Sequence, residues 1–133
     1  MRALLGVSIV AATVAMLGCG GISTPSENLT DTFSGSLPVK DIRAHQFSVS
    51  KTGEFTVKLT AWAPNSGIPT GLELTRGEND GSCTTILQQT LFATLNTQAL
   101  GGAIVSGKYC VAIFDIGNMT AAQNYTITVS HPQ

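Results

Sequence analysis

The sequence predicts an all-β domain, an antiparallel β-sandwich of two sheets with seven to eight strands, preceded by a signal peptide and a flexible linker. Two observations support this prediction. Beyond residue 32, apolar and polar residues alternate in short segments, and hardly any stretch shows the 3.6-residue period of a helix. Turn sequences containing glycine or asparagine separate these segments at regular intervals.

Each predicted strand follows from its own pattern. In segment 53–62, alternation places Phe55, Val57, Leu59 and Ala61 on the inward face. Segment 108–116 is apolar on both faces, which indicates a central strand covered from both sides. Segment 91–103 is read as one strand plus a long loop. The other predicted strands are 33–37, 44–50, 72–76, 84–90 and 124–130.

The first 18 residues are predicted to be the signal peptide of a bacterial lipoprotein. Arg2 precedes an apolar stretch over 3–17, and the run Ala15-Met16-Leu17-Gly18-Cys19 resembles the lipobox at which such precursors are acylated and cut. A retained membrane helix is the alternative, but it needs about 20 apolar residues, and this stretch is shorter. Processing would make Cys19 the lipidated first residue and anchor the protein to a membrane. The glycine after Cys19 favours the outer membrane of the cell envelope.

The remaining chain is divided into a tether and one domain. Residues 19–32 are assigned to the lipidated cysteine and a flexible tether, because 20–32 consist mainly of small and polar residues. Residues 33–133 have the length of a single domain. Only 11% of the residues are charged, and the basic ones are scattered. This composition argues against a nucleic-acid partner, which requires clustered Lys and Arg.

The two cysteines that follow Cys19 are predicted to form a disulfide. Cys83 and Cys110 are the pair that remains when Cys19 carries lipid, and an exported protein meets oxidising conditions. Two buried free thiols are the alternative. A metal site is disfavoured, because no second Cys or His stands at ligand spacing beside either one.

Two further features are candidate binding sites. Trp62, the single tryptophan, is predicted in opposite phase to the inward residues of its strand, so it is either an exposed ligand contact or a core residue of the second face. Glu78, Asn79 and Asp80 form an acidic loop that offers oxygen ligands for Ca²⁺. Three side chains do not make a complete calcium site, so an ordinary solvated turn is the default interpretation of this loop and Ca²⁺ is the alternative. No other cofactor is expected.

No catalytic constellation is recognised, so we expect that the protein is not an enzyme. His45 and His131 have no nucleophile motif nearby, and His45 lies in phase with a strand as a half-buried sheet residue would. The acids Glu54, Glu73 and Asp115 lie on different predicted strands, with nothing to show that they converge as glycoside hydrolysis requires.

Five segments carry the strand motifs of this sequence: 33–37 (FSGSL), 45–49 (HQFSV), 53–59 (GEFTVKL), 107–115 (GKYCVAIFD) and 124–129 (NYTITV). Taken in this order, they are similar to the bacterial pre-peptidase C-terminal domain over nearly everything after residue 32. The resemblance implies a jelly-roll-like β-sandwich that is non-catalytic and serves as an accessory, sometimes substrate-binding, module. Arg43 stands where many members carry an Asp, so the calcium site of some relatives is not implied here.

Three hypotheses for function follow from these observations. The first is a binding or adhesion module that presents loops 63–70 and 116–122 to a protein or glycan at the cell envelope. The second is a structural envelope component that acts through pairing of an exposed edge strand. A small secreted hydrolase is the third.

Overall fold

A computed structural model describes residues 27–133, and all of its named elements are strands. They form two four-stranded antiparallel sheets with the orders β1-β8-β3-β6 and β2-β7-β4-β5. This eight-stranded, two-sheet order is that of a jelly roll, so the predicted fold class is confirmed. In this part of the chain, no helix is long and apolar enough to cross a membrane. The strands are β1 (Asn28–Leu37), β2 (Ile42–Val49), β3 (Gly53–Ala63), β4 (Thr70–Gly77), β5 (Cys83–Ala93), β6 (Gln98–Ile104), β7 (Gly107–Phe114) and β8 (Gln123–Pro132).

The core lies between the sheets and is built from alternate residues of each strand. Strand β7 shows the predicted central position, because β2 and β4 flank it. Its inward residues Val111 and Ile113 are buried, and so are Cys110 and Ala112 on its other face. Burial on both faces explains the nearly continuous apolar sequence of this strand.

The sandwich begins earlier than the predicted boundary at residue 33. Strand β1 starts at Asn28, and residues 28–32, which the sequence assigned to the tether, pair with β8. The Asn28 side chain donates a hydrogen bond to the Glu54 carbonyl (2.9 Å). An edge strand with one exposed face needs few apolar residues, so its polar composition concealed it. The predicted signal peptide (1–18) and Cys19 lie outside the described residues.

The region 91–103 also differs from its prediction. Strand β5 continues to Ala93 and β6 begins at Gln98, so a four-residue turn replaces the expected long loop. In the turn, the Thr94 and Thr97 hydroxyls are 2.6 Å apart. The glycines of β6 interrupt the alternation of apolar side chains, and that hid the strand from the sequence pattern.

The two loops that the first hypothesis invokes lie side by side at one end of the sandwich. The buried Gln123 side chain receives the Asn65 backbone N–H (3.1 Å) and donates to the Asn65 carbonyl (2.6 Å). In the neighbouring loop, Asp115 Oδ1 accepts backbone N–H groups of residues 117–119. Both loops are therefore fastened by hydrogen bonds to the ends of the strands.

Candidate functional site

One side of the sandwich carries no charge, and we call it the uncharged side. It consists of residues 81–107, which include β5, β6 and their flanking turns and contain no Asp, Glu, Lys, Arg or His. Strands β5 and β6 follow each other in the chain and lie at edges of different sheets. The fold therefore collects an uncharged stretch of sequence at one open side of the sandwich.

The uncharged side also holds most of the exposed apolar surface. Among the described residues, eight large hydrophobic side chains are exposed, and five of them belong to this side. Among residues 27–133, Phe92 is the aromatic residue with an exposed side chain, at 69%. Neighbours such as Ile86 and Leu87 point to opposite faces of β5, so exposed apolar side chains lie on both faces of this edge strand. Exposed apolar side chains concentrated at one edge are typical of an interaction site. The five are Ile86, Leu87, Leu91, Phe92 and Val105.

Two clefts open on this side. The larger, of about 340 Å³, lies between the sheets and is lined in part by Phe55, Leu74, Leu87 and Tyr109. The smaller, of about 190 Å³, lies at the end of β5, where Phe92 faces the loop that contains Ile68 and Pro69. Both are lined largely by apolar groups, so they suit apolar side chains of a partner better than a charged ligand.

A side-chain amide joins the two edge strands. Gln88 of β5 donates from Nε2 to the Gly101 carbonyl of β6 (3.1 Å) and accepts the Gly101 N–H on Oε1 (3.1 Å). The side chain thus satisfies both backbone groups of Gly101, as a neighbouring strand would. The edge of β6 is closed at this point, while β5 stays open.

The opposite side of the sandwich, formed by β1 and β2, is polar and charged. Arg43 forms an ion pair with Asp41. His45 Nε2 lies 2.8 Å from the Tyr125 hydroxyl, and its ring stacks on Phe33 at a centroid distance of 4.9 Å. Burial lowers the pKa of His45 and raises the pKa of Tyr125. The partner of His45 is a hydroxyl and not a carboxylate, which agrees with the predicted half-buried sheet residue.

His131 makes the carboxylate contact instead. Its Nε2 lies 2.9 Å from Asp31 Oδ2, and its Nδ1 lies 3.0 Å from the Pro132 carbonyl. The side chain is 2% exposed and its ring lies beside Phe47. Both ring nitrogens are engaged and the ring is buried, so this pair joins β1 to β8 and offers no free base to a substrate.

The candidate ligand contact Trp62 is a core residue. Its side chain is 4% exposed, and its indole N–H donates to the Ile68 carbonyl (2.8 Å). The pairing of β3 with β8 shifts register between Leu59 and Ala61. This bulge adds one residue and reverses the alternation, so Trp62 points inward and Ala61 outward. The predicted phase was wrong beyond Leu59, and the interpretation of Trp62 as an exposed ligand contact is corrected.

The acidic loop of Glu78, Asn79 and Asp80 is a hydrogen-bonded turn. Glu78 Oε1 accepts from the Thr84 hydroxyl (3.0 Å), and Asp80 Oδ1 accepts the Ser82 N–H (2.9 Å). The Ser82 donors hold the pKa of Asp80 below its usual value. Within residues 27–133, no group of three or more His, Cys, Asp or Glu side chains is placed to hold a metal ion. The geometry thus favours the turn over the predicted Ca²⁺ site.

The predicted disulfide between Cys83 and Cys110 is confirmed. The two Cα atoms are 6.0 Å apart, within the range for a bridge. Cys83 begins the edge strand β5, and Cys110 is buried in the central strand β7. The bridge therefore crosses β4 and fastens one end of β5 to the middle of its sheet.

The three acids considered for hydrolysis lie on different elements, Glu54 on β3, Glu73 on β4 and Asp115 just after β7. Glu54 and Glu73 lie in different sheets, and Glu73 accepts a hydrogen bond from Gln89 (3.1 Å). Asp115 holds its loop through backbone donors, and although burial alone would raise its pKa, these hydrogen bonds lower it.

Sequence reasoning missed the uncharged side itself. The signal was present in the chain as the absence of charge between Asp80 and Lys108. Its meaning depends on the position of β5 and β6 at sheet edges, which local patterns do not reveal.

Comparisons with known proteins support the fold. A scan against protein-family models finds no match, and neither does a search of curated proteins. Among solved structures, the chain is similar to the Yersinia pseudotuberculosis-derived mitogen, with 14% identity, coverage of 78% of this chain and 86% of that one, and a TM-score of 0.56. It is also similar to the pre-peptidase C-terminal domain of a collagenase from Bacillus anthracis, with 18% identity, coverage of 76% and 87%, and a TM-score of 0.52. The chain therefore has the β-sandwich fold of the pre-peptidase C-terminal domain, as the strand motifs implied.

Proposed function

We propose that this chain is a non-catalytic protein-binding module, held at the cell envelope by lipid on Cys19, that docks its partner on the uncharged side. The single observation that carries this proposal is the concentration of five exposed apolar side chains on a side without charge. Burying exposed apolar surface in a partner is favourable, by about 25 cal/mol for each Å² removed from water.

A protein suits this surface better than a glycan. Sugar recognition relies on exposed aromatic faces and on polar groups that bind hydroxyls, and Trp62 is buried in the core. The uncharged side offers four exposed aliphatic side chains, one exposed phenylalanine and an open edge strand, but no charged group to bind hydroxyls. Apolar side chains beside an open edge strand are the features that proteins use to bind extended segments. This favours the edge-strand hypothesis over presentation of the two loops.

The proposed anchor is compatible with the start of the fold. Residues 20–27 lie between Cys19 and β1 in the sequence. The start of β1 lies beside the start of β3 through the bond from Asn28 to Glu54. The anchor therefore enters at one end, and β5 and β6 run along the side of the sandwich.

We also propose that the protein is not an enzyme. The ring nitrogens of His131 are both engaged, and His45 binds a tyrosine hydroxyl. Asp115 and Glu73 are used in local hydrogen bonds. These contacts give the four groups a structural role.

Site-specific photo-crosslinking in living cells tests the docking surface. A photoreactive amino acid replaces Leu91 on β5 in the full chain, and the matched control carries it at Ile42 on the far edge of the same sheet, since the two side chains are 47% exposed each. We expect protein adducts from position 91 and few from position 42. Equal adducts from both, or none from position 91, would overturn the docking surface. Labelling with palmitate, lost in Cys19→Ser, tests the anchor separately.

A further inference from the structure

We propose that the partner on the uncharged side is a second copy of this chain, docked edge to edge through β5 about a two-fold axis. This inference deepens the proposed function and rests on it, because it uses the same surface. The proposed contact therefore has one partner, the second copy, and one docking strand, β5.

The edge of β5 is more available to a second chain than the edge of β6. The backbone N–H and carbonyl of Gly101 on β6 are already bonded to the Gln88 side chain. Gly102 in the same strand has a φ of 139°, which interrupts regular extended geometry. Strand β5 is longer, and most of its residues are exposed. It is therefore the edge that a second chain reaches.

The choice of a second copy follows from charge. In a two-fold contact, the same patch lies on both subunits, so residues near the axis meet the same residues of the other copy. Like charges placed opposite each other are destabilising. Strand β5 contains no charged residue, whereas the edges at β1 and β2 carry Asp31 and Arg43. When two copies dock through β5, no like charges of this strand meet, because each copy presents the same uncharged strand.

Strand β5 has exposed surface that a second copy can cover. Nine of its 11 residues are exposed. Its exposed side chains at the two ends of β5, Ile86 and Phe92, are 55% and 69% exposed, so both have surface left to bury.

Side chains, more than a long backbone ladder, are expected to hold the two copies. The pairing of β4 with β5 shows three register shifts, and bulges of this kind bend an edge strand. The Phe92 N–H is also bonded to the Thr90 hydroxyl (3.3 Å). These features shorten any regular ladder and leave the apolar side chains of β5 as the main contact.

Sedimentation equilibrium of the full chain in density-matched detergent tests this inference. The test variant is Ile86→Lys, and the matched control is Ile42→Lys, which places the same new charge at an exposed isoleucine (47%) on the opposite edge of the same sheet. We expect a dimer for the unaltered chain and for Ile42→Lys. The dissociation constant of Ile86→Lys should rise at least tenfold, because each copy then places a charged lysine in an apolar contact.

The measured outcomes distinguish failure of the dimer from failure of the docking surface. Circular dichroism and thermal unfolding check that both variants fold, which their exposed positions favour. A monomer for the unaltered chain at all accessible concentrations overturns the dimer, and so does an equal effect of the two lysines. If that monomer still gives crosslinks from position 91 to a different protein in cells, the second copy is refuted while the proposed function stands. Crosslinks from position 91 to the chain itself support both.

Discussion

Gln88 on β5 and Gly101 on β6 are joined by two hydrogen bonds of 3.1 Å, in which one side-chain amide satisfies both backbone groups of the glycine. The contact links edge strands of different sheets at the open side of the sandwich. It closes the edge of β6 and leaves that of β5 available, and this asymmetry underlies both the proposed docking surface and the proposed dimer.

Replacing Gln88 with alanine should destabilise the fold. Two exposed hydrogen bonds are lost, and at about 0.5 to 1.5 kcal/mol each the free energy of unfolding should fall by about 1 to 3 kcal/mol. Urea unfolding measures this. The control Gln98→Ala truncates an exposed glutamine on the neighbouring strand β6 and should change the free energy of unfolding by about 0.5 kcal/mol or less. Equal losses for the two variants would contradict the role given to Gln88.

Removing the disulfide should cost more than any single hydrogen bond. Cys83 and Cys110 are 27 residues apart, and closing a loop of that length contributes about 3.5 kcal/mol in the chain-entropy model. The double variant Cys83→Ala/Cys110→Ala should therefore unfold at a markedly lower urea concentration. The unaltered protein under reducing conditions should behave in the same way. A loss below about 1 kcal/mol in both would show that the bridge adds little.

Trp62 should matter for stability, and Phe92 should not. Trp62→Ala removes a buried side chain and leaves the Ile68 carbonyl without its indole donor, so a loss of about 3 to 5 kcal/mol is expected. Phe92→Ala is the matched control, because it also truncates an aromatic residue but at a 69% exposed position. Its unfolding free energy should change by about 0.5 kcal/mol or less. A larger loss of unfolding free energy for Phe92→Ala than for Trp62→Ala would place Trp62 outside the core.

His45 should make the fold less stable in mild acid. Burial lowers the pKa of His45 in the folded state, so the unfolded chain binds a proton more readily. Stability is therefore highest above the unfolded pKa of about 6.5 and falls as pH decreases from there towards the folded pKa. His45→Gln keeps a polar group near the Tyr125 hydroxyl without this titration.

Urea midpoints measured between pH 7.5 and pH 5 check this expectation. The midpoint of the unaltered chain should fall further than that of His45→Gln, and the difference between the two isolates the contribution of His45. Parallel pH profiles would contradict the assignment.

The alternation of apolar residues determined the class of fold and most of the strands. Segments such as Phe55 to Leu59 carry a two-residue period that only a half-buried strand needs, and the central strand β7 is recognisable because both of its faces are apolar. The cysteine count determined the disulfide partners. The lack of charge over residues 81–107 is also a property of the sequence alone.

The tertiary structure decided which residues meet. The bulge that turns Trp62 into the core depends on pairing between β3 and β8, and the contact between His131 and Asp31 joins residues 100 positions apart. The polar start of β1 becomes a strand only because β8 lies beside it. Periodicity is local, whereas register, bulges and edge positions are set by pairing between distant segments. For that reason the uncharged stretch became a candidate surface only when folding placed β5 and β6 at one open side.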